Sequence, residues 1–281
     1  MSTKTGQLFG GLRRYTRELI VVLLLVGVAG GLLRGLMVAP SPQEVEMAGY
    51  ATSLAGRTSG QRHNAKLAAA ALNGKVIAPG AVFSYNATVK SWSQDQGYVK
   101  APVSYDGELV KAYGGGVCQT STTLYNAALL AGLPILERHP HVFAPHYVPP
   151  GRDAAVAYPN IDLQFRNPYP WPIRLRATTE ADHLEVRIMG ARPAPQTVDI
   201  ETEILSVSDP ARRTRVVTRS ADYPRRAYVR NPGAVGYRVV SYRTFSGSTT
   251  QPDRRERLGD DSYQAMDRIV QLDETATSPT P

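Results

Sequence analysis

The chain has 281 residues, 42% of them hydrophobic and 20% charged, a formal net charge of +8 and one cysteine. That length and balance exclude a collagen-like, coiled-coil or wholly disordered chain and allow one large domain or two small ones. The lone Cys118 excludes a disulfide framework and paired-cysteine zinc or redox sites, and the dispersed arginines, with no run of five like charges, argue against a nucleic-acid partner.

Lys4, Arg13, Arg14 and Arg17 precede an apolar run from Leu19 to Leu33, broken by Arg34 before Gly35 to Ala39. Read through Arg34, whose stem can snorkel to the head groups, the stretch approaches the ~20 residues that span a bilayer. A basic flank before such a run predicts a signal-anchor or transmembrane helix over 19–39, with 1–18 as a cytoplasmic basic segment. A cleaved signal peptide and a buried core helix are the alternatives; proline at position 40, where cutting would be easiest, favours the uncleaved anchor. Either targeting reading puts the remainder outside the cytoplasmic membrane. A lone thiol in that oxidising space is a liability unless it is buried or used.

Residues 40–57 read as a tether. Gln61 to Leu72 predicts an alanine-rich helix stopped by Asn73-Gly74, and Pro79-Gly80 a turn into a strand over Val82 to Tyr85. Residues 86–117 read as aromatic and glycine-rich loops, with Tyr98, Tyr105, Tyr113 and Trp92, like Tyr125 beyond them, as core or groove wall. A second helix runs from Cys118 to Gly132, with Leu124, Ala127, Ala128 and Ala131 as its apolar stripe. Strands follow at Ile135-Leu136, Ala154 to Tyr158, Ile161 to Phe165, Ile173 to Ala177 and Leu184 to Met189. The fold class over 58–190 is therefore α+β, helices packed on a mainly antiparallel sheet. Short alternating segments near Val198 to Leu205, Arg213 to Thr218, Tyr237 to Phe245 and Ile269 to Leu272 predict a small β-rich module over 196–274, before a disordered tail over 275–281.

The sharpest chemical signal is Gly114-Gly115-Gly116-Val117-Cys118-Gln119-Thr120-Ser121. Glycines let the backbone turn tightly and leave room for a substrate chain, and a helix starting at the cysteine favours the thiolate. In this reading Cys118 is the nucleophile, and Gln119 or first-turn amides hold an oxyanion; Ser121 is grouped with Gly114, Gly115, Gly116 and Gln119 as substrate-binding. His141 serves as base and then acid, His139 lies in the substrate-binding set, and Asp153 or Asp162 orients the imidazole. Alternatively, Cys118 is a small buried hydrophobe, the histidines bond to backbone, Asp153 caps a turn and Asp162 pairs with an arginine. Cys118, His139 and His141 are also the one set with metal-ligand chemistry. No metal and no cofactor are expected, and His146 reads as structural.

These residues resemble the VanW family over about 61–190. The carriers are Ala71-Leu72-Asn73-Gly74-Lys75-Val76-Ile77-Ala78-Pro79-Gly80, Phe83-Ser84-Tyr85-Asn86, Gly97-Tyr98 with Ala101-Pro102-Val103, and the run from Gly114 through Gly132. Glu137-Arg138-His139-Pro140-His141, Tyr147 through Ala154 and Asp162 through Asn167 complete them. The resemblance implies an exported or anchored protein linked to the cell wall, in a family named for an accessory gene of some vancomycin-resistance clusters; it carries over no catalytic residue. Pro232 to Val239 resembles part of the glycine-rich β-module that ends many members, while Trp92-Ser93-Gln94-Asp95 departs from a more basic pattern. Together these readings predict a membrane-anchored extracytoplasmic protein acting on peptidoglycan or its precursors, as a thiol acyltransferase or amidase or, alternatively, as a non-catalytic wall-binding or scaffold module.

Overall fold

A computed structural model of the chain describes residues 44–105, 108–217 and 227–273. The expected anchor over 19–39, the basic segment before it and the tail over 275–281 lie outside the described residues. Among the described residues no helix is long and apolar enough to cross a membrane. Residues from Glu44 onward form one compact unit.

Local signals place the helices. Thr58 caps α1 (Ser59–Leu72): its hydroxyl accepts from Gln61 N–H while the Gln61 side chain accepts from the Thr58 N–H, a reciprocal box that satisfies two orphan donors. Asn64, Ala65, Ala68, Ala69 and Leu72 recur at helical spacing and are buried. The sheet beneath runs β1–β9–β8–β2, with β1 (Val45–Ser53), β2 (Val76–Ile77), β8 (Ile173–Glu180) and β9 (His183–Gly190) all antiparallel. Leu184, Val186 and Ile188 alternate inward along β9 and are fully buried. They share one core with Leu72 of α1 and with Leu124 and Leu129 of α3 (Val117–Leu130), each such side chain contributing about 1.5–3 kcal/mol.

Smaller sheets surround this core. β3 (Val82–Ser84), β7 (Gln164–Arg166) and β6 (Ile135–Glu137) form one, and short α2 (Tyr85–Val89) follows β3. β4 (Lys100–Tyr105) and β5 (Glu108–Tyr113) form a hairpin. Toward the carboxyl end, β10 (Thr197–Ser208), β13 (Gly236–Ser246) and β14 (Arg254–Tyr263) form an antiparallel sheet. β15 (Arg268–Asp273) lies parallel to β11 (Arg212–Val217) and antiparallel to β12 (Ala227–Asn231). The architecture is mixed α+β, with few helices and several antiparallel sheets.

Four expectations need correction. The strand expected over Ala154 to Tyr158 is reduced to isolated bridges at Ala155 and Ala157. Much of the tether expected over 40–57 is β1, an edge strand paired with β9 from Val45 to Ser53; only Met47 and Thr52 of its nine residues are buried, so it carries almost no apolar alternation. The loops expected over 86–117 include α2 and the β4–β5 hairpin. The strand expected over Ile161 to Phe165 is reduced to Gln164–Arg166, because Asp162 turns inward and spends its oxygens on neighbouring donors.

Candidate functional site

Gly116 caps α3 with φ 108°, a left-handed conformation that glycine adopts without strain, and this places Cys118 at the second helical position. The Val117 N–H bonds back to the Gly114 carbonyl at 2.9 Å and the Gln119 N–H to the Gly116 carbonyl at 3.2 Å, which leaves the Cys118 N–H as the orphan of the helix start, and the local dipole favours negative charge on the thiol. The glycines let backbone come close. A Cβ on Gly114 would strike the Trp92 ring, on Gly115 the Pro102 carbonyl, and on Gly116 the Gln61 carbonyl. The room expected for a substrate chain beside Gly114, Gly115 and Gly116 is thus taken by the protein itself.

One face of α3 then builds the site. Asn126 Nδ2 donates to the Arg152 carbonyl at 2.8 Å, Ser121 Oγ donates to the Ala154 carbonyl at 2.6 Å, and Thr122 Oγ1 accepts from the Ala154 N–H at 3.0 Å. Those bonds clamp the backbone on both sides of Asp153. Cys118 lies one turn earlier on the same face and donates its S–H to the Val156 carbonyl at 3.4 Å. An antiparallel bridge between His139 and Ala155 sets the register that brings His141 opposite Asp153.

Asp153 is fully buried and receives both the His141 N–H, at 2.7 Å, and the imidazole Nδ1, at 2.5 Å. The imidazole is thereby oriented, and the half-buried Cys118, whose S–H is given to Val156, lies near enough for thiol and imidazole to shift each other's ionisation. Asp153 also accepts from Arg138 Nη2 at 3.0 Å and from Tyr263 OH at 2.5 Å. Arg138 reaches on to Asp261 at 2.6 Å and lies over the Tyr125 ring. Tyr263 also accepts the Gly151 N–H at 2.9 Å.

Burial alone would push the Cys118 thiol up, but the hydrogen bond and positive charge of His141 more than offset it, and the thiol lies below its ordinary range. Burial works against the imidazolium too, yet Asp153 and Cys118 lift His141 to about 10. Burial opposes ionisation of Asp153, and His141 with Arg138 brings it below the usual carboxylate range. These shifts favour an imidazolium beside the Asp153 carboxylate and bias Cys118 toward its thiolate. Burial and the neighbouring Cys118 hold the Tyr147 phenol neutral, with Arg57 over its ring.

Cys118, His141 and Asp153 therefore come together. Asp162 stands elsewhere: it accepts from the backbone of Asn86 and Leu163 and from Ser84 Oγ, pinning the start of α2, and among the described residues it pairs with no arginine. His139 is exposed and pairs with Glu137. Gln119 donates to Thr52 Oγ1 and the Ser53 carbonyl, so its amide is spent on tying α3 to β1. Ser121 is likewise spent on Ala154, and of the first-turn amides only the Cys118 N–H is left open. Among the described residues no group of three or more His, Cys, Asp or Glu is placed to hold a metal ion. Arg138, Asp261 and Tyr263 were not singled out by sequence reasoning. Arg138 stands beside the noticed His139, a signal that was at hand, whereas Asp261 and Tyr263 lie in a strand with no apolar pattern.

A family model described as VanW like protein matches residues 60–189. Residues 60–189 belong to the VanW-like family. The uncharacterized protein YoaR of Bacillus subtilis (strain 168) is 41% identical over 128 residues, covering 46% of this chain and 42% of that protein. The vancomycin B-type resistance protein VanW of Enterococcus faecalis (strain ATCC 700802 / V583) is 37% identical over 109 residues, 37% of this chain and 40% of that protein. The chain thus spans about two fifths of the length of these curated relatives. Among solved structures, the IgA1 protease G5 domain matches 28% of this chain and 90% of its own at 19% identity and TM-score 0.17. HP0197-G5 matches 27% and 96% at 15% identity and TM-score 0.14. Cys118, His141 and Asp153 all fall inside the VanW-like segment, and Asp261 and Tyr263 fall beyond it.

Proposed function

We propose that this VanW-like protein is a membrane-anchored, extracytoplasmic thiol enzyme of the cell wall, an acyltransferase or amidase acting on the peptide part of peptidoglycan or its precursors. The observation that carries the chemistry is the line Cys118–His141–Asp153, with its carboxylate fully buried. The anchor-like run over 19–39 supports the compartment, and the wall peptides supply amide bonds there. In the reaction the Cys118 thiolate attacks an amide carbonyl and forms a carbon–sulfur bond. The orphan Cys118 N–H at the α3 start receives the oxyanion. Collapse of the tetrahedral species breaks the carbon–nitrogen bond as His141 gives its proton to the leaving amine. A water or amine then attacks the thioester, loses its proton to His141, and regenerates the thiolate while Asp153 holds Nδ1–H throughout.

A second reading, a non-catalytic wall-binding or scaffold module, is favoured by one feature: the three glycines, Gln119 and Ser121 are all consumed by internal packing and bonding. Iodoacetamide labelling of Cys118 against pH separates the two. The enzyme reading expects a rate that plateaus below the pH of an ordinary thiol, and a fall in rate at pH 7 in His141→Ala of about tenfold for each unit the thiol pKa rises. An inert thiol, or a profile unmoved by His141→Ala, overturns the thiol chemistry. In cells, Cys118→Ala reproducing the muropeptide profile of a full deletion, while a folded His141→Gln does the same, supports catalysis on wall peptides; a wild-type profile in Cys118→Ala points to binding.

A further inference from the structure

At the α3 start the oxyanion site is one-sided: of the first-turn amides only the Cys118 N–H is open, and the side chains of Gln119 and Ser121 are spent on internal bonds. Oxyanion holes commonly pair two donors, and a phenol is one of the side chains that can supply the second. Tyr147 is held beside the place where that donor is needed. Gln119, next to Cys118, donates through Nε2 to the Ser53 carbonyl at 2.8 Å, which ties the end of β1 to the α3 start. The chain turns at once, with the Arg57 N–H bonding back to the Leu54 carbonyl at 3.1 Å, and the Arg57 guanidinium lies 4.9 Å from the centre of the Tyr147 ring. From α3 itself, Thr122, one turn after Cys118 on the same face, puts its hydroxyl beside the Tyr147 phenol.

The proton of this phenol is uncommitted. Tyr85 gives its own to the Val117 carbonyl at 3.2 Å, and Tyr263 gives its own to Asp153. Tyr147 is half-buried, and among the described residues its hydroxyl is neither bonded to a backbone or carboxylate acceptor nor sealed off without a partner. The Thr122 hydroxyl, whose contact with the Ala154 carbonyl is long at 3.4 Å, eases ionisation of the phenol and so faces its oxygen as a donor, which leaves the phenol its own proton to give. Burial and the adjacent thiol nevertheless keep Tyr147 protonated where Cys118 is a thiolate. The guanidinium over its face fixes the ring. A neutral, oriented O–H donor thus stands beside the nucleophile.

We propose that Tyr147 is the second oxyanion donor of the Cys118 centre, its phenol O–H and the Cys118 N–H together receiving the oxygen that turns negative when the thiolate adds to a carbonyl. The assignment adds a catalytic residue to the thiol reading above and rests on it. Two reagents separate the role of the phenol from that of the thiol. p-Nitrophenyl acetate acylates Cys118 through a tetrahedral oxyanion: a carbon–sulfur bond forms, the carbon–oxygen bond to the leaving group breaks, and p-nitrophenolate departs with the electron pair. Iodoacetamide alkylates the same thiolate by displacing iodide, with no oxyanion on the path. In the full chain, Tyr147→Phe keeps the ring under Arg57 and deprives no internal backbone or carboxylate acceptor of a donor. It should slow acylation about tenfold or more, while the alkylation rate and its pH profile stay within about twofold of the wild type. Unchanged acylation overturns the assignment. So does acylation slowed only as much as alkylation, or an alkylation profile that reverts to that of an ordinary thiol, because Tyr147 then serves the thiol and not the oxyanion. A wild-type thiol inert to both reagents fails the thiol reading itself, whereas a reactive thiol indifferent to Tyr147 fails this assignment alone.

Discussion

Two buried carboxylates, a few residues apart in sequence, show what a burial pattern does not reveal. The donors to Asp162 are all neutral: the side chain, 6% exposed, accepts from Asn86 N and Leu163 N at 2.8 Å each, from Ser84 Oγ at 2.5 Å and from Gln164 Nε2 at 3.2 Å, and so staples α2 to the segment before β7. The Asp153 region is charged: a fully buried carboxylate receives an imidazole, a guanidinium and a phenol. Donors that cannot titrate make a structural joint. Donors that can titrate make a site whose charge state follows pH and whose geometry sets a tautomer.

The sharpest way to break this contrast is to neutralise each acid in turn. Asp153→Asn leaves Arg138 and His141 without their shared anion, and removing one partner of a buried charged cluster costs about 3–5 kcal/mol. The expected outcome is that loss in denaturant unfolding together with a Cys118 labelling profile moved to higher pH. Asp162→Asn keeps an acceptor but turns an N–H₂ toward other donors, an effect of about 1–3 kcal/mol. Its labelling profile should match the wild type. If the Asp162 variant moves the thiol profile as far as the Asp153 variant does, the two regions are not different in kind.

Tyr263→Phe tests whether a strand beyond the VanW-like segment completes the site. It removes the phenol from Asp153 and strands the Gly151 N–H, at about 1–2 kcal/mol. A positioning role also predicts a shifted pH profile for Cys118, which a purely structural role would leave in place.

How much of this was legible in the sequence follows from what kind of interaction built each part. Helices α1 and α3 announce themselves because capping and glycine stops are local, and Cys118 stands out because it follows three glycines at a helix start. The choice between Asp153 and Asp162 was not readable. It depends on the His139–Ala155 bridge and on the polar face of α3, which are contacts across the chain. β14 was missed because Arg254-Arg255-Glu256-Arg257 and Asp260-Asp261 carry no apolar alternation; the strand is held by pairing with β13, and its inward residues serve Arg138 and Asp153. Gly151 would likewise pass for an ordinary turn glycine, yet a Cβ there would strike Ser241 of β13, so this turn is where that sheet docks.

The pH dependence of stability sharpens the charged region further. His141, lifted to about 10, holds in the fold a proton that it releases on unfolding above its ordinary 6.5, so its contribution is complete below 6.5 and is lost as pH rises toward 10. Cys118, lowered from 9.0, gives up in the fold a proton that it recovers on unfolding, so its contribution is present above 9.0 and is lost as pH falls through its folded value. Between the folded thiol's value and 9.0 the two slopes oppose each other. Cys118→Ala removes the second and trims the first, because Cys118 is one of the groups that lift His141, while Asp153 keeps the rest of that lift in place. Its stability should fall with rising pH over that range, by at most about 1.4 kcal/mol per pH unit, while the wild type stays flatter. Parallel curves in urea titrations across pH would mean that the thiol and imidazole do not share a proton.

The smallest expected effect concerns Lys90, on the neutral side of the comparison. At φ 62° and ψ −155° a lysine is strained by about 1–3 kcal/mol, and glycine relieves this while adding about 0.5–1 kcal/mol of unfolded-state freedom. Lys90→Gly should therefore raise stability by about 1 kcal/mol, read as a higher midpoint in thermal or denaturant unfolding. An unchanged or lower midpoint would mean that the surrounding contacts hold the Lys90 backbone in this region without cost.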